Sequence, residues 1–424
     1  MRITLLSLAL ALLSNIAFAQ KTYLHVGKLV DTKNGKVLNE QTIIVSGDEI
    51  EDVIDGYESG AGKVIDLKDK VVLPGFADLH VHIETETSPT RYLEGFTLNE
   101  ADIAYKAQEL ALRTLNAGFT TIRDLGGSGV NVSLRNAINT GKVFGPRIFT
   151  AEKAIGTTGG HADPTNGYRK DLMGDPGPKE GVVNNVDDAR KAVRQRYKNG
   201  ADWIKITATG GVLSVAKNGQ NPQFTEEEIE AIVTTGKDYD LQVAAHAHGD
   251  EGMQRAVRAG VKTIEHGTLM SEETADLMKK HNTYYIPTLS AGKYVAEKAK
   301  IKDYYPAVIV PKALEIGPQL QKTFAMAYNK GVNIAFGTDA GVFPHGENAK
   351  EFGYMVEAGM TPMEAIQSAT IETAKVLKAE EALGQLAAGF KADIIAVEED
   401  PIQNINTLNE VTFVMKAGEV VIKE

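Results

Sequence analysis

The chain has 424 residues, 45 basic and 56 acidic, for a net charge of -11 with histidine neutral. That acidic balance excludes a general nucleic-acid binder, which needs a basic surface. With 43% hydrophobic residues there is enough material for one large core or two smaller ones, and the absence of cysteine excludes disulfides and thiolate metal sites, so any metal here is held by nitrogen and oxygen.

Taken in chain order, "MRITLLSLALALLSNIAFAQ" opens with one arginine, an apolar run over 5–13 and the small-x-small triplet Ala17-Phe18-Ala19. This is the secretory pattern. Residues 1–19 are expected to be a signal peptide cut near Ala19-Gln20, leaving an exported protein, periplasmic or secreted. The run is too short for a comfortable membrane span, and no other segment reaches about 18 apolar residues. No stable span is expected after cleavage.

Residues 20–75 are β-branched and rich in turns: "KTYLHVGKLVD", "QTIIVSGDEIEDVI", "GKVIDL" and "KVVLPG" read as short strands. The same style returns at 379–424, in "KADIIAVEED" and "VTFVMKAGEVVIKE". One small β-sandwich built from both chain ends is expected. Between them, over 76–378, amphipathic helical runs alternate with short apolar strands. Examples are "NEADIAYKAQELALRTLNAG" before "TTIRDL", and "DDARKAVRQRYKNGA" before "DWIKITAT". About eight such strands, with glycines stopping the helices before them, predict an α/β fold, a (β/α)₈ TIM-like barrel.

The polar residues of this scheme gather at strand ends. His80 and His82 close the first strand, and residues i and i+2 of a strand share a face. Lys205 lies in the fourth, His246 and His248 end the fifth, His266 the sixth and Asp339 the eighth. The C-terminal mouth of a barrel is where catalytic groups belong. Singly, each has an ordinary reading: a hydrogen-bonded histidine (as for His25 and His281), an ion-paired lysine, a turn aspartate. Together, five imidazoles, an ammonium and one carboxylate crowd one mouth without counter-ions. A cation resolves that conflict, because neutral imidazole and carboxylate are ordinary Zn²⁺ ligands.

The order of these residues, with the "LPGFADLHVH" signature, resembles the amidohydrolase superfamily over essentially the whole mature chain. The resemblance implies two divalent metal ions, Zn²⁺ foremost. His80, His82 and Asp339 would hold one ion and His246 and His266 the other. Lys205, N6-carboxylated by CO₂, would lie between them. It further implies that a metal-activated water attacks an amide carbonyl while Asp339 carries a proton to the leaving nitrogen.

For the substrate, "GTTGGHADPTNGY" presents His161, His248 follows His246 by two residues, and "FPHGEN" offers His345. The backbone around Gly210 and Gly211 in "TATGGVLS" suits an anion, and no arginine is clearly placed in the mouth. "VAAHAHG", "TIEHGT" and "TGGHAD" resemble the metal-dependent dipeptidase and carboxypeptidase branch, which includes prolidases and is related to imidazolonepropionase. The implied substrate is a small peptide or N-acyl amino acid with a free carboxylate, such as Xaa-Pro or Xaa-Arg/Lys, held by His161 and His248. The branch also implies a homo-oligomer. Competing readings are a cyclic-amide hydrolase, a lactonase or phosphotriesterase, and a non-catalytic scaffold.

Overall fold

The structure, a computed structural model, describes residues 21–214 and 219–423. The expected signal peptide lies outside the described residues.

The N-terminal strands are β1 (Thr22–Asp31), β2 (Lys36–Ser46), β3 (Glu49–Asp55) and β4 (Lys63–Pro74). The two runs expected to be separate, "GKVIDL" and "KVVLPG", form the single 12-residue strand β4. A bulge accommodates the join: the β1–β4 register shifts between Val26 and Lys28. A Cβ on Gly27 would stand 2.0 Å from the Lys68 carbonyl oxygen, so only glycine allows that approach.

Seven parallel strands follow: β5 (Phe76–Val81), β6 (Phe119–Asp124), β7 (Arg147–Thr150), β8 (Trp203–Thr207), β9 (Gln242–Ala247), β10 (Thr263–His266) and β11 (Tyr284–Ile286). They form two sheets, β5-β6-β7 and β11-β10-β9-β8. Single parallel bridges join them: Ile155 with Ile206, Tyr285 with Ile334, and Val81 with Ala340. The expected eighth strand, "VNIAFGTDAG", therefore sits between β11 and β5 without forming a regular ladder. Its backbone groups are taken by several partners instead. Asp339 N–H donates to His80 O (2.6 Å), Phe336 O accepts from Leu79 N (3.0 Å), and Thr338 N–H donates to the buried Asp78 carboxylate (3.1 Å).

Local rules explain the helices between strands. The helix Glu226–Lys237 starts with a Thr225/Glu228 capping box. Val186–Asn199 starts at Asn185 and stops at Gly200 (φ 90°), and Asp250–Ala259 stops at Gly260 (φ 91°). After β11 two helices, Leu289–Lys298 and Val310–Asn329, pack on each other beside the strand ends.

The C-terminal strands β12 (Ile394–Val397), β13 (Phe413–Lys416) and β14 (Glu419–Lys423) return to the N-terminal ones. The result is one seven-stranded sheet, ordered β14-β13-β12-β4-β1-β2-β3. The expected union of both chain ends is thus present, as a single hydrogen-bonded sheet. It has its own apolar cluster, including Leu24, Ile43, Ile65, Ile394 and Phe413, distinct from the larger core under the helices.

Candidate metal centre

A cavity of about 370 Å³ opens at the C-terminal ends of the parallel strands. His80, His82, His161, Lys205, His246, His248, His266 and Asp339 all line it. Period-two alternation brings His80 and His82 to the same side, with ring centroids 5.5 Å apart.

Hydrogen bonds fix how each ring is presented. His80 Nδ1 is 2.8 Å from Glu265 Oε2, and His82 Nδ1 is 2.8 Å from the Gly126 carbonyl, so each ring donates there and keeps its Nε2 lone pair. His266 Nδ1 is 2.7 Å from Thr288 Oγ1. His246 is turned the other way: its Nε2 meets the Gly210 carbonyl at 3.1 Å, leaving Nδ1. Asp339 Oδ1 lies 3.4 Å from His82 Nε2 and 3.6 Å from His80 Nε2. It is buried with no hydrogen-bond partner among the described residues. Lys205 Nζ is 3.4 Å from His80 Nε2.

Burial keeps the imidazoles uncharged. It drives His80, His246 and His266 well below the usual histidine range, and His82 and His248 down to about 3, with neighbouring cationic groups adding to the effect. The same burial pushes the Lys205 ammonium down, against the pull of Glu265 and Asp339. It pushes the Asp339 carboxyl up, against Lys205 and Arg91.

These groups fit a divalent cation. Neutral rings with free lone pairs and a carboxylate oxygen facing no donor are the chemistry a hard or borderline metal takes. One atom each of His80, His266 and Asp339 falls within 4.8 Å of the others. His246 adjoins them through its ring, 4.7 Å from that of His266. Two of these residues hold left-handed backbone, His266 (φ 69°) and Asp339 (φ 63°), the kind of strain that gathers at functional sites.

The other substrate candidates divide. His161 stacks beside His246 (4.4 Å) and is held through its backbone N–H by Gln223 Oε1 (2.8 Å). Its ring lies against Gly211, where a Cβ would come within 2.2 Å, and its Nδ1 has no partner among the described residues. Burial lowers His161 to about 4. His248 Nδ1 meets Thr268 Oγ1 at 2.6 Å. His345 is placed elsewhere. It lies behind the cavity wall, with Nε2 3.2 Å and 3.1 Å from the His82 and Thr85 carbonyls and Nδ1 3.2 Å from Thr114 Oγ1. It braces the loop after β5 and is not among the residues that line the cavity. Of the backbone groups expected to suit an anion, the Gly210 N–H is already engaged, donating to the Asn221 carbonyl (3.2 Å).

Four groups escaped the sequence reading. Glu265, wholly buried, joins His80 to Arg123, whose Nη2 is 2.9 Å away. Arg123 also donates to the Leu79 carbonyl (2.7 Å) and lies over the Trp203 ring. Asp78 accepts from the His80 N–H (3.0 Å) and from Thr338 and Asn348, and burial raises it to about 6. Arg91, on the short helix Arg91–Thr97, lines the cavity directly. The one readable signal was the Glu beside His in "TIEHG", since ligand histidines commonly donate to a carboxylate.

Comparison with known proteins gives the chain a family. The amidohydrolase family model matches residues 71–421. A solved Xaa-Pro dipeptidase with methionine bound in its active site is 53% identical, with a TM-score of 0.93 over 95% of this chain and 100% of that one. A solved prolidase complexed with N-methylphosphonate-L-proline is 32% identical, with a TM-score of 0.87 over 96% of this chain and 100% of that one. The ochratoxinase of Aspergillus niger is 32% identical over 370 residues, 82% of this chain and 75% of that protein. These neighbours imply the TIM-barrel fold of the amidohydrolase superfamily for the parallel strands and their irregular eighth segment. No helix among the described residues is long and apolar enough to cross a membrane. With its metal-competent histidines and aspartate at the strand ends, the chain belongs to the amidohydrolase family and is a hydrolase of C–N bonds.

Proposed function

We propose that this protein is an exported, binuclear metal-dependent dipeptidase. It cleaves the amide bond of small peptides or N-acyl amino acids that carry a free C-terminal carboxylate. In this reading the eight strand segments close a (β/α)₈ barrel, and the terminal sheet curls into a sandwich around its own core. The observation that carries the proposal is the unpartnered Asp339 Oδ1 beside three neutral imidazoles and Lys205. The dipeptidase and prolidase neighbours support the substrate class.

His80, His82 and Asp339 would hold one Zn²⁺ ion, and His246 and His266 the other. Lys205 as its carbamate would stand between them. The amine adds to CO₂ with loss of one proton, and the product is an anion, which removes the objection to a cationic lysine among metal ligands. When bound, the ions acidify a water and polarise the amide carbonyl. The chain's own groups do the rest. Asp339 takes a proton from the water and returns it to the leaving nitrogen. His161, neutral and with an unsatisfied ring nitrogen, is placed to donate to the carbonyl oxygen as charge develops there. His248, its ring 4.6 Å from that of His246, would also contact the substrate. Glu265 and Asp78 fix the β5 end from behind.

Elemental analysis of the purified protein should find close to two divalent ions per chain. A panel of Xaa-Pro, Xaa-Arg, Xaa-Lys and hydrophobic dipeptides should reveal hydrolysis that chelation abolishes. One ion or none refutes the binuclear site, and a metal-loaded protein inert on every dipeptide refutes the substrate class. Sequencing of the exported protein should begin at Gln20.

A further inference from the structure

We propose that Arg91 anchors the substrate's free C-terminal carboxylate, and that the residue bearing that carboxylate has an uncharged side chain. The inference rests on the dipeptidase reading above and deepens it.

Buried guanidinium groups elsewhere in this fold are paired. Arg123 has Glu265 and the Leu79 carbonyl, and Arg196 has Glu152 and the carbonyls of Pro178 and Lys179. That is the normal way to bring an arginine inside, because an unpaired charge out of water is costly. Arg91 departs from it. The side chain is half-buried and lines the cavity, yet the guanidinium makes no hydrogen bond or ion pair among the described residues. Its fork is therefore open to a planar anion that arrives from solution, and a carboxylate meets it bidentately.

Position supports that role. Arg91 lines the same cavity as His82, Lys205 and Asp339. Its helix buries no residue of its own. The helix is tied across the mouth by Tyr92, whose hydroxyl donates to the Leu213 carbonyl (3.1 Å), and by Phe96, packed 4.8 Å from Tyr168. The cation thus sits on a strap at the entrance and not on a strand beside the ligands.

The side-chain preference follows from what the cavity lacks. Among the described residues Asp339 is the only carboxylate lining the cavity, and that group belongs to the metal centre. Ala291, Val295, Ile316 and Leu320 give the cavity an apolar part of its lining. A leaving residue with an arginine or lysine side chain would find no counter-ion there, whereas an aliphatic side chain or a proline ring needs none. Of the expected Xaa-Pro and Xaa-Arg/Lys substrates, the first fits and the second does not.

The test uses the metal-loaded full chain with Ala-Pro, Ala-Leu and Ala-Arg and the C-terminal amides of the first two. Wild type should cleave the free acids with kcat/KM about 10–100-fold above the amides, the worth of one charge-assisted pair. Ala-Arg should be the poorest acid. In Arg91→Gln the acid-to-amide ratio should fall toward one, through KM more than kcat, and Arg91→Lys should recover part of it. A variant that slows acids and amides equally, or a wild type indifferent to the carboxylate, overturns the anchor. An Ala-Arg rate matching Ala-Leu overturns the side-chain rule. Calorimetry with L-leucine and L-leucinamide separates the two levels. A wild type that cleaves no peptide sinks the dipeptidase reading, whereas equal affinity for both probes sinks the anchor itself.

Discussion

In the sheet made by the two chain ends, Leu24, Val26 and Ile65 are wholly buried beside Ile43, Ile394 and Phe413, and β4 is hydrogen-bonded on both sides. At the cavity the buried groups are imidazoles stripped of their protons, a lysine short of its usual basicity and a carboxylate with an oxygen facing no donor. Three residues lining it, His266, Thr288 and Asp339, also hold left-handed backbone, a cost of about 1–3 kcal/mol each. The first region is built for burial, and the second spends stability on a geometry that makes sense only once a cation arrives. Damage to the mouth should therefore remove activity with little loss of fold, and damage to the sheet should do the reverse.

Five substitutions break or sharpen that contrast. Lys205→Ala should reduce hydrolysis to background while leaving the melting temperature near wild type, and added metal with a short carboxylic acid should restore part of the activity. A fully active variant removes the carbamate from the scheme. Asp339→Asn should lower kcat roughly 10²–10⁴-fold, the range for a positioned proton carrier, in protein shown to retain its metal. Phe413→Ala, in the sheet, should cost about 3–5 kcal/mol by denaturant titration with kcat unchanged in the protein that remains folded. Glu265→Gln keeps the shape but not the charge behind His80, and should weaken metal affinity or activity about 10–100-fold. Gly200→Ala, at φ 90° with room for a methyl group, should cost about 1–2 kcal/mol and nothing in kinetics.

Much of this contrast was legible before any coordinates. The His80/His82 pair declares itself because a two-residue period at the end of an apolar run puts both rings on one side. The helix stops at Gly200 and Gly260 declare themselves because only glycine takes that backbone cheaply. What stayed hidden has a physical reason in each case. Glu265 sits in a strand where a carboxylate looks like an error of patterning until its partners His80 and Arg123, far off in sequence, come into view. Arg91 lies on a seven-residue helix outside the alternation of strands and helices, so no periodicity points it inward. His345 read as a loop residue, yet backbone carbonyls of another loop draw it into a buried brace. The eighth strand was placed correctly but not shaped correctly, because the Asp78 carboxylate takes a hydrogen bond that a neighbouring strand would otherwise receive.

The reach of β4 has a consequence for how the molecule is made. One part of this strand pairs with β1, and its final residues, Val71–Pro74, pair with Val397–Ile394 of β12 before the chain turns at Gly75 into the strand carrying the two histidines. A ribosome delivers β12 some 320 residues after the end of β4, from Pro74 to Ile394, so one edge of that strand stays bare throughout that interval. Contacts this distant along the chain close slowly, and an uncovered edge invites pairing with other chains. Completion of this sheet must therefore wait for β12, and a chain truncated before Ile394 should aggregate.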